Sequence, residues 1–295
     1  MSSCRTSLRP LLVAGLGCLM AAAVAETSRA AADITIVEDF DTAPLDSGRW
    51  SMFRMGDRRH WIDRRVVRDG KGALAIRIKG NDFDPTCQCQ ICELREAPEL
   101  RLDFGQEAWY AFSFRIDGRG GLARDQRWQI ASWKQESDGS PFLAQRFDDG
   151  VFHITLESGL SRVLLATSQG EAKSVLDLLR SGIMNQFAFL SEPSRYDGRD
   201  DVDIEYAEDP ILPDPRLDWV DMVYRVKGGL SGDGIVEVYA NGRFIARATG
   251  KIGVPDAAGP KQYFKFGHNR APMPGTATIY LDRFRRGSSK AEVEN

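Results

Sequence analysis

Short runs in which apolar and polar residues alternate recur along almost the whole chain after residue 33. In one run Tyr110, Phe112 and Phe114 fall on one face, because the side chains of a strand change face at every residue. Asn241-Gly242 stands between two such runs and is typical of a tight β-hairpin turn. Many short strands separated by turns rich in Gly, Asp and Pro predict an all-β sandwich or jelly roll rather than a parallel α/β sheet.

One segment departs from this strand pattern. Residues 171–180 carry apolar side chains at helical spacing before Gly182, which predicts one short helical insertion. The stretch 191–221 that follows is rich in acids and proline and is interpreted as a long surface loop. Its acids are candidate ligands for structural calcium, but their spacing lacks an EF-hand pattern, so a solvated acidic loop is the favoured interpretation. These acids are Asp197, Asp200, Asp201, Asp203 and Glu205.

Composition and charge are those of an ordinary globular protein. Of the 295 residues, 42% are hydrophobic and 27% are charged, and the formal net charge is -3. No overall basic field is present, so a nucleic-acid partner is not predicted. Residues 33–287 are predicted to form a single domain, followed by a flexible tail at 288–295.

The N-terminus has the pattern of a secretory signal peptide. Arg5 and Arg9 precede an apolar run, 11–25, that ends in small residues, and a second small-residue site follows at 30–32. This run is short for a helix that spans a membrane. The sequence therefore predicts a signal peptide at 1–25, or to residue 32, and a periplasmic or secreted monomer without membrane insertion.

Three cysteines lie close together, at Cys87, Cys89 and Cys92. An exported protein meets an oxidising environment, so one disulfide is expected, and Cys87 with Cys92 is the favoured pairing. Three thiolates also suit a metal ion, but a fourth ligand is not evident nearby. A structural staple in a loop is therefore the preferred interpretation.

The run 261–270 carries the side chains best suited to catalysis and to binding of a charged ligand. Phe264 and Phe266 fall on the face expected to be buried, and Tyr263 and Lys265 fall on the opposite face. Three more polar residues follow them: His268, Asn269 and Arg270. A phenol, an ammonium, an imidazole and a guanidinium on one ribbon suit proton transfer and anion binding. The alternative is an ordinary strand whose polar face meets water.

Other runs place polar residues opposite a predicted core face, as His153 is placed between Phe152 and Ile154. In a curved jelly roll, such residues from several strands would meet in one groove. Arginine suits bidentate binding of carboxylates, so a groove lined with Arg, Lys, Gln and aromatic residues suits an acidic polysaccharide. The further groove candidates are Arg95, Glu99, Arg101, Lys134 and Gln135.

Several motifs resemble those of known polysaccharide lyases. The segment 93–96, Glu-Leu-Arg-Glu, resembles the Glu-Leu-Arg motif of alginate-lyase-type jelly rolls, and 263–267 resembles their Tyr-Phe-Lys-x-Gly strand. The runs 109–114, 133–135 and 278–282 look like the heparin lyase I-like family. The similarity extends over almost the whole mature chain. It implies a concanavalin A-like β-jelly roll that cleaves an acidic, uronate-containing polysaccharide by β-elimination, without a redox or nucleotide cofactor.

The resemblance also implies roles for the candidate residues. Arg95, Arg101 or Gln135 would neutralise the uronate carboxylate. A base and an acid are needed for the two proton transfers, and the candidates are His153, Tyr263 and His268. Lys134 falls where heparin lyase-like sequences can carry a histidine and is grouped with these catalytic candidates. The remaining substrate-binding candidates are Glu99, Lys265, Asn269 and Arg270.

One position departs from the pattern of these lyases. Asn269 stands two residues after Gly267, where the related strands carry the catalytic tyrosine. Either His268 or Tyr263 replaces it, or the protein binds or processes an acidic glycan, such as an exopolysaccharide, without cutting it.

A glycoside hydrolase is the remaining alternative. Such an enzyme would need two carboxylates around the scissile bond. Asp201, Asp203 and Glu205 are spaced two and two, whereas the laminarinase-type motif places its last acid three residues after the middle one.

Overall fold

The fold consists of strands arranged in two antiparallel sheets. A computed structural model describes residues 35–56, 58–118, 127–137, 139–148, 151–159, 161–168, 201–255 and 259–294. Within these ranges, the elements other than strands are a 3-10 turn, Pro98–Leu100, and a C-terminal helix, Lys290–Glu294. None of the described helices has the length and apolar character needed to cross a membrane.

Sheet A is formed mainly by the later half of the chain. In spatial order its strands are β13 (Val202–Tyr206), β16 (Arg243–Ile252), β15 (Gly229–Ala240), β14 (Val220–Lys227), β8 (Ala108–Gly118), β18 (Ala277–Gly287), β4 (Ala73–Ile78) and β3 (His60–Asp63), and β1 (Ile36–Glu38) also pairs with β18. Asn241 and Gly242 connect β15 to β16 with φ angles of 49° and 75°. Two consecutive positive φ angles are what a type I′ turn requires, so the predicted hairpin is confirmed.

Sheet B carries the strand that holds the chemical candidates. Its spatial order is β12 (Ser161–Thr167), β11 (Val151–Ser158), β10 (Leu143–Asp148), β9 (Trp128–Gln135), β17 (Lys261–Arg270), β6 (Cys89–Glu96) and β2 (Trp50–Phe53), with β5 (Phe83–Asp84) pairing with β6 and β7 (Leu102–Asp103) pairing with β17. The candidate strand, β17, therefore lies in the interior of its sheet, between β9 and β6.

The core between the sheets is strongly aromatic. Phe112 and Tyr224 of sheet A meet Trp133 and Phe264 of sheet B, with centroid distances of 5.4 Å for Phe112–Phe264 and 4.6 Å for Trp133–Tyr224. Burying such rings supplies much of the apolar area that stabilises a domain. The prediction that Tyr110, Phe112 and Phe114 share one face is confirmed, and all three are buried.

Polar bonds also cross this core. The Gln145 amide donates to the Tyr224 hydroxyl at 2.7 Å, and Arg286 Nη1 donates to Glu96 Oε1 at 2.9 Å. Burial raises the pKa of Glu96 above its usual range, although Arg286 lowers it. Because a buried polar group is costly unless it is bonded, these pairs specify how the two sheets face each other.

Two sequence expectations differ from the structure. The disulfide joins Cys87 to Cys89, not Cys87 to Cys92. Cys92 has the same parity as Leu94 on β6, so its thiol points into the core, and burial raises its pKa to about 12. Instead of a frayed tail, the helix Lys290–Glu294 packs Val293 against Trp109 and Val223.

The predicted helical insertion at 171–180 lies outside the described residues, as do 1–34 and residues 191–200 of the acidic loop. The described remainder of that stretch contains β13, so it is not the continuous loop that the sequence predicted. The described acids of that loop, Asp201, Asp203 and Glu205, lie in or beside β13 at the edge of sheet A, and Glu205 accepts a hydrogen bond from Arg247 at 2.9 Å.

Candidate functional site

The outward side chains of β6, β17 and β9 form one polar surface on sheet B, which we call the polar face. Strand register places Lys134 beside Tyr263, and Ser132 beside Lys265, which is in turn beside Arg95. Each of these side chains alternates with a core residue, so the sandwich interior and the polar face are built from the same three strands. The alternation predicted for Tyr263 and Lys265 is confirmed.

A charged triad lies at the centre of the polar face. Lys265 Nζ donates to Glu93 Oε1 at 2.8 Å, and Arg95 donates to Glu93 Oε2 from Nη2 at 2.7 Å and from Nε at 3.1 Å. Burial raises the pKa of Glu93, but the charges of Lys265 and Arg95 outweigh this, so the net pKa lies below its usual range. The triad therefore holds one anion and two cations and has a net positive charge.

Arg95 is fixed from two sides. Its Nε and Nη2 edge is occupied by Glu93, while its guanidinium carbon lies 3.7 Å from the centroid of the Phe53 ring. Stacking on an aromatic face and two hydrogen bonds to one carboxylate oxygen both restrict the rotamers of an arginine. The Nη1 donors lie on the opposite side of the guanidinium from Glu93, where they suit an external carboxylate.

Tyr263 is the tyrosine that the described residues place on the polar face, and 8% of it is exposed. The guanidinium carbon of Arg101 lies 4.2 Å from the centre of its ring, and Arg101 Nη1 donates to Glu136 Oε1 at 2.9 Å. Burial raises the pKa of Tyr263, while the charges of Arg95 and Arg101 lower it, and the net pKa is above the usual value. The phenol is therefore protonated at neutral pH and surrounded by cations.

Gly267 determines which residues follow Tyr263 on this face. Its φ is 146°, and a Cβ atom there would lie 2.2 Å from the Cys92 carbonyl oxygen, so only glycine fits. The register with β9 shifts between Phe266 and Asn269, which is a β-bulge, whereas the register with β6 is continuous. Asn269 consequently lies on the polar face, half-buried beside Gln129.

His268 does not reach the polar face. It has the same parity as Phe264 and Phe266, is fully buried, and stacks on Trp128 with a centroid distance of 5.4 Å. Its Nε2 is 2.9 Å from the Ile76 carbonyl oxygen on sheet A, and burial lowers its pKa to about 3. A neutral imidazole that bonds across the core has no access to a polysaccharide, so this position does not suit the base expected from the sequence.

His153 lies on the outward face of β11, three strands away from β17. Successive register pairs connect it to Arg146, Gln129 and Asn269, which corresponds to about 14 Å across the sheet. It is fully buried, its Nδ1 is 3.0 Å from the Val151 carbonyl oxygen, and burial lowers its pKa to about 3. The structure does not bring His153 and Tyr263 together.

Three predicted substrate ligands have other positions. The Gln135 side chain is buried and is bonded in both directions to the backbone of Val254, at 3.1 Å and 2.7 Å. Arg270 is also buried and donates to Gln90 Oε1 at 2.6 Å. Glu99 is exposed on the turn Pro98–Leu100, beyond the end of β6. Gln135 and Arg270 therefore support the fold rather than the polar face.

Glu93 belongs to the Glu-Leu-Arg motif but was not among the predicted site residues. The signal was available, because Glu93 and Arg95 are two residues apart and must share a face of one strand. What the pattern did not contain was the neighbouring strand, which brings Lys265 to the same carboxylate.

Comparison with known proteins assigns the chain to a family. A family model described as "Polysaccharide lyase" matches residues 34–285. The chain belongs to this polysaccharide lyase family. As a polysaccharide lyase it is an enzyme that breaks a carbon–oxygen bond, as the sequence motifs predicted. None of the curated proteins matches its sequence.

Solved structures resemble the lyase in fold. An endo-β-1,4-glucuronan lyase from the fungus Trichoderma reesei is 14% identical, with a TM-score of 0.55, and the alignment covers 88% of this chain and 97% of that one. A cellulose-induced protein, Cip1, is also 14% identical, with a TM-score of 0.50 and coverage of 86% and 97%. At this identity the likeness concerns the fold alone, and it confirms the predicted all-β jelly-roll sandwich.

The family also decides against the glycoside hydrolase. The acids that suggested one lie in or beside β13 of sheet A, whereas the polar face belongs to sheet B. Among the described residues, no group of three or more His, Cys, Asp or Glu side chains is arranged to hold a metal ion.

Proposed function

We propose that this lyase cleaves a uronate-containing polysaccharide by β-elimination on the polar face of sheet B, with Tyr263 as the proton-transfer residue. The observation that carries the proposal is the position of the Tyr263 phenol. It lies on the polar face with Lys134 beside it, Arg101 against its ring, and the Arg95–Glu93–Lys265 triad next to it along the strands.

The charge of this surface supports an acidic substrate. Among the described residues around Tyr263, three cations, Arg95, Arg101 and Lys265, are paired with two carboxylates, Glu93 and Glu136. Lys265 and Glu93 are almost completely buried, so the field of this positive surplus is weakly screened by solvent. A polymer with one carboxylate per sugar unit suits such a surface better than a neutral polymer.

Arg95 has the geometry needed to activate the uronate. Elimination begins at C5, whose proton becomes acidic when the neighbouring carboxylate is neutralised. Glu93 and Phe53 hold the guanidinium, and its Nη1 donors remain on the side away from Glu93. In the proposal these donors bind the carboxylate of the reacting sugar. Because the arginine is fixed before substrate arrives, little reorganisation accompanies the charge that develops.

Tyr263 would then transfer the proton. Its phenolate takes the proton from C5, the electron pair of the C5–H bond forms the C4=C5 double bond, and the C4–O4 bond breaks. The departing O4 takes the same proton back from the phenol, which restores the phenolate. Arg101 and Arg95 stabilise the phenolate, as their lowering effect on the pKa of Tyr263 indicates. Because the net pKa is raised, the phenolate is a minority form at neutral pH.

Asn269 suits binding better than proton transfer. An amide side chain does not act as a base at neutral pH, but it donates and accepts hydrogen bonds. It lies six residues from Tyr263, about 20 Å along an extended strand. Asn269 therefore contacts a different sugar unit from the one that reacts.

Export, a heparin lyase I-like affiliation and a monomeric state are also part of the proposal. The signal-peptide pattern supports export to the periplasm or the medium, where polymeric substrates occur. Motif similarity supports a heparin lyase I-like affiliation, and a monomer is the expected state.

Ultraviolet absorbance provides the direct test. The purified protein would be mixed with glucuronan, alginate, heparin-type polymers and bacterial acidic exopolysaccharides, and the conjugated C4=C5 uronate would be followed. We expect the chromophore to appear with at least one of these polymers and to be lost in Tyr263→Phe. New reducing ends without the chromophore would contradict β-elimination.

A further inference from the structure

A second recessed site lies at the edge of sheet B, beyond the polar face. Strand β6 pairs with β2 at Glu93–Glu96 and with β5 at Cys89 and Gln90, so its edge is open between these two pairings. A cavity of about 750 Å³ occupies this position. We call it the edge pocket, and its principal lining residues are Met52, Arg54, Arg59, Asp82, Phe83 and Asp84.

The edge pocket is continuous with the polar face. Its wall includes Ile91, and Ile91 is the register partner of Asn269 on β17. A polymer that crosses the polar face at Asn269 therefore reaches the edge pocket one strand further on, after about 5 Å. Tyr263 lies about 20 Å away along the strand. The two ends of this path suit different sugar units of one long chain.

Two apolar side chains are unusually exposed in the edge pocket. Phe83 is 49% exposed and Met52 is 51% exposed, although most large apolar residues of this domain are buried. A sugar ring has an apolar face of C–H groups and a rim of hydroxyls, and an aromatic ring at a concave site suits that apolar face. The exposed ring of Phe83 is therefore available to stack against a sugar ring.

Two arginine–aspartate pairs line the same pocket. Arg59 Nη2 donates to Asp82 Oδ1 at 3.0 Å, and Arg54 pairs with Asp84. Each aspartate is itself fixed by a backbone amide. Asp82 Oδ2 accepts from the amide of Lys79 at 2.7 Å, and Asp84 Oδ1 accepts from the amide of Thr86 at 2.8 Å.

With two arginines and two aspartates among its lining residues, the edge pocket is electrically balanced, unlike the polar face. Arg59 and Arg54 remain about one-third exposed in their pairs. Paired guanidinium and carboxylate groups offer adjacent donors and acceptors, which is the pattern that a sugar diol requires. A carboxylate would instead meet two aspartates without a surplus cation.

We propose that the edge pocket is a distal subsite that holds one sugar unit of the polysaccharide by stacking on Phe83 and by hydrogen bonds from its hydroxyls to the two arginine–aspartate pairs. This inference rests on the proposed function, because its occupant is another part of the same polymer. The disulfide Cys87–Cys89 closes the loop after Asp84 and restrains the wall of the subsite.

The first experiment compares long and short substrates. Phe83→Ala is expected to raise KM for the long polymer about fivefold, a typical effect of losing one aromatic contact, and to change KM for the shortest cleavable oligosaccharide less than twofold. Leu217→Ala is the matched control, since Leu217 is 80% exposed and precedes β14 of sheet A. Equal KM changes for long and short substrates, or no change for either, would overturn the subsite.

The second experiment tests what the edge pocket recognises. Asp82→Asn gives the pocket a positive charge and breaks the Arg59 pair, so binding of hydroxyls should weaken and KM for the long polymer should rise about threefold. A fall in KM would show that the pocket takes a carboxylate, and the hydroxyl assignment would be wrong.

Two further measurements distinguish the subsite from a protein contact and keep its test independent of the reaction. Direct binding of the polymer to Tyr263→Phe, with and without Phe83→Ala, tests the edge pocket even if no polymer is cleaved, so the failure of the proposed reaction is distinguishable. Sedimentation of the wild type and Phe83→Ala tests self-association. A dimer that dissociates in Phe83→Ala while polymer binding is unchanged would make the pocket a protein contact and refute the proposal.

Discussion

Each sheet of the lyase has a buried carboxylate with two cations and a tyrosine beside it, and the two clusters differ in their charge balance. On sheet A, Glu237 accepts hydrogen bonds from Arg225 at 3.1 Å, from Arg247 at 3.0 Å and from the Tyr239 hydroxyl at 2.9 Å. On sheet B, Glu93 binds Arg95 and Lys265, and Tyr263 lies beside them. Glu93 and Glu237 are equally buried.

The two clusters differ in whether their cations bind a second carboxylate. Arg225 also pairs with Glu107, and Arg247 also pairs with Glu205, each at 2.9 Å. Among the described residues, Arg95 and Lys265 share the single carboxylate of Glu93.

In the cluster on sheet A, acids therefore outnumber arginines, and the Tyr239 hydroxyl donates its hydrogen bond to Glu237. Burial and the bond to Glu237 raise the pKa of Tyr239 to about 12. The cluster on sheet B has surplus positive charge. The same residue types give a structural network in one place and a binding surface in the other, because the number of counter-charges differs.

Removing each phenol gives the largest expected contrast. Tyr263→Phe should lower kcat/KM by about 10³-fold, because loss of a general acid–base group typically costs 10²–10⁴-fold. Tyr239→Phe should leave kcat/KM unchanged. Steady-state kinetics on the polymer that gives the unsaturated product checks both variants, and comparable losses in the two would remove the distinction between the clusters.

Removing each carboxylate tests the same contrast in stability. Glu93→Gln leaves Lys265 buried with no anion and should lower the free energy of unfolding by about 3 kcal/mol. Glu237→Gln should cost about 1 kcal/mol, since Arg225 and Arg247 keep other carboxylates and are partly exposed. Urea denaturation at pH 7 provides both values.

The stability difference between wild type and Glu93→Gln should also depend on pH. Folding lowers the pKa of Glu93, so its stabilising contribution is full above the usual carboxyl range and is lost as the pH falls through the folded-state pKa. The difference between wild type and Glu93→Gln should therefore shrink below about pH 4. A difference that stayed constant with pH would show that Glu93 does not act through its charge.

Removing one arginine from each cluster should have a smaller effect on activity. Arg95→Ala is expected to reduce kcat/KM about 30-fold, because the carboxylate of the substrate loses a fixed charged partner. Arg247→Ala should have less than a twofold effect. A loss confined to KM would indicate that Arg95 binds the substrate and the transition state equally.

The pH profile of activity should show the most gradual effect. Because the pKa of Tyr263 is raised, kcat/KM should increase about tenfold per pH unit from pH 6 to 8 as the phenolate fraction grows. The fall with acid should be absent from the residual activity of Tyr263→Phe. A flat wild-type profile would exclude the phenolate as the base.

Strand alternation was sufficient to predict the fold and the polar face. It placed Tyr263 and Lys265 opposite Phe264 and Phe266, and it gave Arg95 a position on a neighbouring polar side. The error for His268 was avoidable, because an even count from Phe264 leads into the core. Cys92 fails as a disulfide partner for the same reason, since it shares a face with Leu94.

Contacts between strands were not predictable in the same way. The Glu93–Lys265 bond joins residues 172 positions apart, and the Glu96–Arg286 pair joins the two sheets. Neither pairing follows from local spacing, because register and sheet order depend on the whole chain. The edge pocket was equally unpredictable, since it is formed where two short strands leave a gap beside β6.

The side chains of β17 alternate between the core and the polar face, and this alternation has a practical consequence for engineering. Its even-numbered side chains anchor the strand to the opposite sheet, as His268 does through Ile76. Its odd-numbered side chains line the polar face. A library that keeps Tyr263 and randomises only position 269, together with 132 and 134 on β9, would vary substrate preference while leaving the core-facing side chains of the strand unchanged.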